Sequence, residues 1–100
     1  MELSIKEKLP AIVAIFKKNG ATSAYIFGSA ALGKMNNDSD VDFLFSFSKD
    51  LHYEIYADNY FKLLHDLEKL LNKNIDLVAE KTLQNPYLIE KINSQKIQIL

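Results

Sequence analysis

Ala24-Tyr25-Ile26-Phe27-Gly28-Ser29, then ten residues, then Asp40-Val41-Asp42-Phe43-Leu44-Phe45-Ser46-Phe47, is the stretch whose reading decides the fold. Ala24 to Phe27 reads as a short buried strand running directly into Gly28-Ser29. In the second segment the period of two puts Val41, Phe43, Phe45 and Phe47 on one face and Asp40, Asp42, Leu44 and Ser46 on the other. Four large apolar groups on one side fix that face inward. Between the two strands, Lys34-Met35-Asn36-Asn37-Asp38-Ser39 is polar and rich in turn formers, and reads as an exposed loop.

Outward from this centre the pattern turns helical. Upstream, Leu9, Ile12, Val13 and Phe16 recur at helical spacing, and Asn19-Gly20 supplies a left-handed stop. Ser4 and Glu7 form a capping-box pattern, whereas Pro10 suits a first helical turn, so a kink or break is expected near Pro10. Downstream, Tyr56, Tyr60, Leu63, Leu64, Leu67, Leu70 and Leu71 trace the apolar stripe of a long helix that stops at Asn72-Lys73-Asn74. Ile75 to Val78 reads as a third strand, Asn85-Pro86 as a cap and first turn, and Lys96 to Leu100 as an edge strand. The succession predicts an α+β fold in two layers, a small sheet covered by helices, without specifying strand order.

At 100 residues, 48% hydrophobic and 25% charged, the chain is expected to form one domain over residues 1–100 with a single core. The absence of cysteine excludes disulfides and thiolate metal sites. Neither a signal peptide nor a membrane span is read, so the cytoplasm is the expected location. The net charge of −1 comprises twelve lysines and no arginine. Bidentate guanidinium clamps are therefore missing, and the lysines are scattered among acids, which disfavours direct binding of nucleic acid.

Asp40 and Asp42, two residues apart on a strand, project from one face and can share a hard cation or bridge two. Magnesium suits such a pair, with manganese as an alternative; two ions can clamp the attacking and leaving oxygens of an in-line displacement. Taken alone, the pair also reads as a solvated strand entrance. Asp76, a charge within an apolar strand, is expected to face the same cleft as a metal ligand or an orienting base, or else solvent on an edge strand. Gly28-Ser29 can offer backbone N–H groups and a hydroxyl to a phosphate, or simply turn the chain. Three carboxylates converging without a metal should raise at least one pKa. His52 and His65 lack a partner at metal-ligand spacing and read as surface or packing residues.

The joint arrangement, Gly28-Ser29, ten residues, Asp40-Val41-Asp42, and Asp76 on a later strand, resembles the DNA polymerase beta-like nucleotidyltransferases. More narrowly it is similar to the minimal nucleotidyltransferases, short antitoxins paired with HEPN-domain toxins. The resemblance implies a mixed sheet flanked by helices, with Gly28, Ser29 and Lys34 at the nucleotide phosphates. It further implies Asp40, Asp42 and Asp76 as catalytic metal ligands. It implies transfer of NMP, AMP from ATP above all, to a hydroxyl on a HEPN toxin partner, and leaves homo- and hetero-oligomers open. One position departs from the family pattern: Leu32 stands where an arginine is common. The alternatives are an antitoxin that neutralises its partner by binding alone, and an enzyme acting on a small hydroxylated molecule.

Overall fold

Strand β2, Val41–Phe47, lies inside the sheet with Val41, Phe43, Phe45 and Phe47 all buried. A computed structural model describes residues 1–100. In chain order the elements are α1 (Leu3–Lys6), α2 (Leu9–Lys18), β1 (Ala21–Phe27), α3 (Gly28–Leu32), β2, α4 (Tyr53–Leu71), β3 (Ile75–Ala79), α5 (Pro86–Gln95) and β4 (Ile97–Gln98). A single 3-10 turn, Glu80–Thr82, follows β3. The sheet order is β3-β2-β1-β4. β1 pairs antiparallel with β2 and β4, while β2 and β3 are parallel because α4 carries the chain back across the sheet. The sheet is therefore mixed and flanked by helices, as expected.

The main core forms where α2 and α4 cover the phenylalanine face. Ile12 and Phe16 from α2 and Leu63, Leu67 and Leu71 from α4 join Phe43, Phe45, Ala24 and Ile26 there. Phe16 and Phe43 meet edge to face with centroids 5.3 Å apart, and Phe45 and Phe47 do so at 4.8 Å. On the opposite face a smaller cluster of Phe27, Leu44 and Ile92 seats α5. One helix thus adds cover to the second face of the sheet.

Local chemistry explains the boundaries. The break before Pro10 falls at Glu7–Lys8, and Pro10 occupies the first turn of α2. The Ser4–Glu7 capping box does not form: α1 starts at Leu3, one residue before Ser4, after a Glu2 that makes no side-chain cap. Asn72 ends α4 in the left-handed region at φ 50°. Asn85 caps α5 by accepting from the N–H groups of Tyr87 and Leu88. β1 is longer than its apolar core suggested, since Ala21 to Ser23 pair with β2 through an irregular register.

The free edge of β3 is also furnished. Asn74 O accepts from Val41 N, so even-numbered residues of this segment turn their backbone toward β2 and odd-numbered ones toward the edge. Two of those edge carbonyls have hydroxyl donors: Tyr60 Oη donates to Leu77 O at 3.2 Å and Thr82 Oγ1 to Ala79 O at 2.7 Å.

Candidate functional site

Register alone assembles the centre of the site. Asp42 lies opposite Asp76 in the parallel pair and opposite Phe27 in the antiparallel pair. Because Phe27 is the last residue of β1, the chain turns at Gly28 directly beside the Asp42 carboxylate. Gly28 has φ +68°, and a Cβ placed there would collide with Asp42 Oδ2 and lie 3.1 Å from Cγ. Only glycine fits this close approach without strain. A cavity of about 210 Å³ joins Gly28, Asp42 and Asp76, with Leu88, Lys91, Ile92 and Gln95 of α5 as its far wall.

Electrostatics at this point are unfavourable to the ionised pair. The Asp42 carboxyl is pushed up from 3.8 to about 6, first by burial, then by the negative charges of Asp76 and Asp40 and by sharing a proton with Asp76; Lys91 pulls in the opposite direction. The repulsion expected of converging carboxylates is therefore present at Asp42. The donors are all hard oxygens, and their surplus negative charge is what a divalent cation would neutralise, so the pair fits magnesium or manganese. No three acidic or histidine side chains close into a formed metal-binding set.

Comparison with known proteins gives this geometry its family. The Polymerase beta nucleotidyltransferase family model matches residues 11–100. The chain belongs to this family. It is 33% identical over 96 residues to a candidate protein adenylyltransferase of Methanocaldococcus jannaschii, spanning 95% of this chain and 94% of that protein. It is similar to a solved candidate minimal nucleotidyltransferase, with TM-score 0.75 and 31% identity, covering 97% of this chain and 95% of the other. The fold also matches a complex of a tri-AMPylated HEPN toxin with its MNT antitoxin from Shewanella oneidensis, with TM-score 0.67 and 18% identity, covering 95% of this chain and 71% of that one. The resemblance read from the Gly-Ser and Asp-x-Asp spacing is borne out at the level of family and fold.

Within this nucleotidyltransferase the predicted residues do not all meet. Gly28, Asp42 and Asp76 share the cavity. Ser29 follows in α3, half-buried, with its carbonyl accepting from Lys34 N at 2.9 Å. Asp40 sits one residue before β2 begins, so the alternation that was to align it with Asp42 starts too late to govern it. It lines a neighbouring open groove with Asp38, Ser39, Glu68 and Lys73, and reaches Asp42 through its charge. Lys34 is exposed just beyond α3 and does not line the cavity. Leu32 ends α3 with 48% of its surface exposed. His52 caps α4 through a long 3.4 Å contact from Glu54 N, and His65 is exposed, in keeping with their reading as surface residues.

Lys91 is the residue that sequence reading missed. Its signal was available: Leu88, Lys91, Ile92 and Gln95 stand at the i, i+3, i+4, i+7 spacing of one helix face. That face carries one cation among apolar and amide side chains.

Proposed function

We propose that the chain works as one nucleotidyltransferase domain over residues 1–100, in the cytoplasm, moving AMP from ATP to a hydroxyl of a HEPN-type partner protein as an antitoxin. The observation that carries this reading is the Asp42–Asp76 pair pressed against Gly28, in a chain of this family whose relative is a candidate protein adenylyltransferase. The AMPylated HEPN complex of related fold supports the choice of partner.

In the reaction the acceptor oxygen forms a bond to the α-phosphorus, the bond from that phosphorus to the bridging oxygen breaks, and pyrophosphate leaves. Asp42 and Asp76, with Asp40 at the margin, would hold magnesium, which when bound lowers the pKa of the hydroxyl and shields the phosphate charge. Asp76, exposed at the cavity mouth, orients the acceptor hydroxyl and takes its proton before releasing it to solvent. Gly28 gives the phosphates access by carrying no side chain, and the Ser29 hydroxyl is the adjacent donor. Lys34 is a point charge at the edge of the site, and its exposure allows it to reach outward to the nucleotide.

A second reading rests on Leu32, an exposed apolar residue where the family commonly has arginine. In it the chain neutralises its partner by surface contact and the carboxylates are unused. The test for both is incubation of wild type and an Asp40→Asn/Asp42→Asn double variant with ATP, magnesium and the partner, followed by intact mass. AMP added by wild type and lost in the double variant establishes transfer. An unmodified partner bound equally by both proteins establishes the adaptor instead.

A further inference from the structure

The wall formed by α5 is held firmly enough to aim a side chain. Ile92 is buried against Phe27 and Leu44, Asn85 caps the helix before it, and β4 ties down the chain after it by pairing Ile97 and Gln98 with Ile26 and Tyr25. Fixing Ile92 fixes its neighbour Lys91, which lines the cavity that holds Asp42 and Asp76.

Lys91 is the sole cationic residue of that lining, in a chain with twelve lysines and no arginine. Several other lysines are engaged elsewhere: Lys18 with Asp66, Lys62 with Asp58, and Lys81 and Lys96 over the rings of Tyr56 and Tyr25. The cavity, about 210 Å³, is smaller than the roughly 300–1,000 Å³ typical of ligand pockets. It can hold an ammonium beside two carboxylates, but a nucleotide's triphosphate needs room that Lys91 must yield.

We propose that Lys91 is a two-state positioning residue, the counter-ion of Asp42 and Asp76 in the free protein and a partner of the nucleotide phosphates once a divalent cation has taken its place. The inference rests on the nucleotidyltransfer reading above. An ammonium and a divalent ion compete for the same carboxylates, so Lys91 opposes metal that arrives without nucleotide. The triphosphate brings the anions to which the displaced ammonium can turn, and lysine's flexible stem and compact charge suit that exchange better than a planar fork would. Metal and nucleotide binding become mutually favourable through one side chain. A protein with this device binds little free metal and stays poised for the loaded nucleotide.

The experiment is a titration of Mn²⁺, followed by the resonance of the free ion, into wild type, Lys91→Gln, Lys91→Arg and Lys17→Gln. It is done alone and with an ATP analogue carrying a methylene bridge between the α and β phosphorus atoms. Lys91→Gln should bind Mn²⁺ alone roughly three- to tenfold more tightly and the analogue with Mn²⁺ roughly three- to tenfold more weakly. Lys91→Arg, which keeps the charge, should retain the wild-type order of affinities. Lys17→Gln, the same loss of charge at an exposed position of α2, should match wild type. Lys91→Gln with both affinities unchanged, or both reduced together, overturns the proposal while wild-type binding and AMP transfer leave the parent reading standing. Wild type that binds neither Mn²⁺ nor the analogue overturns both.

Discussion

The two faces of β2 are built from alternate residues of the same seven-residue strand, yet they obey opposite rules. Val41, Phe43, Phe45 and Phe47 are buried in a packed aromatic layer under α2 and α4. On the other face Asp42 and Ser46 are half-buried, Leu44 alone is fully covered, and a carboxylate is kept at a pKa of about 6 by burial and like charge. The comparison teaches that the phenylalanine face holds the strand rigid enough for the opposite face to carry electrostatic strain at a fixed position. Stability and chemistry are divided between odd and even residues.

The largest expected effect comes from breaking the apolar side. Phe43→Ala should lower the free energy of unfolding by about 3–5 kcal/mol, a large part of the roughly 5–15 kcal/mol typical of a domain, as read by urea titration. A loss below about 1 kcal/mol would mean that this face is not what holds the strand. On the polar side, Asp42→Asn should cut AMP transfer at least about a hundredfold, with circular dichroism of a folded protein. Activity surviving at wild-type level would remove Asp42 from the site.

Gly28→Ala tests the boundary between the faces. The new Cβ would meet Asp42 Oδ2 at a backbone φ of +68°, and about 1–2 kcal/mol of stability should be lost from the left-handed backbone alone. A melt matching wild type would show that Asp42 moves aside freely. The smallest effect is the pH dependence of the strain. Asp42 binds its proton more tightly in the folded state, so stability that is complete below pH 3.8 is lost as the pH rises through about 6. Asp42→Asn should therefore be more stable than wild type at pH 7.5, by on the order of 1 kcal/mol once solvent screening is allowed for, and the gap should close near pH 4. Magnesium added to wild type at pH 7.5 should recover part of the same stability, and denaturant midpoints at the two pH values check all three statements.

What was legible in the sequence follows from the range of the forces involved. The phenylalanine alternation, the stripe of α4, the Asn72 stop and the Asn85 cap are local signals, and each element stands where it was read. Asp42 and Asp76 could be suspected of sharing a cleft, and their pairing is a consequence of the parallel register. Asp40 was placed too confidently on the same strand face because periodicity does not mark where a strand begins. Lys91 was missed because its role depends on α5 crossing to the second face, and that is fixed by Ile92 meeting Phe27 and Leu44, residues far away in the chain. Ser4 and Glu7 had the right spacing for a cap, but α1 is a single turn starting one residue earlier.

The hydroxyls of Tyr60 and Thr82 on the outer carbonyls of β3 have a consequence for how this chain can meet other molecules. An open strand edge invites a neighbour to extend the sheet, by design in some complexes and by accident in aggregates. Here one edge has two of its acceptors already taken, and the other edge, β4, offers only two residues. Strand-by-strand growth finds little purchase at either side, so a companion protein must be gripped through side chains, where a single substitution can change whom the molecule recognises.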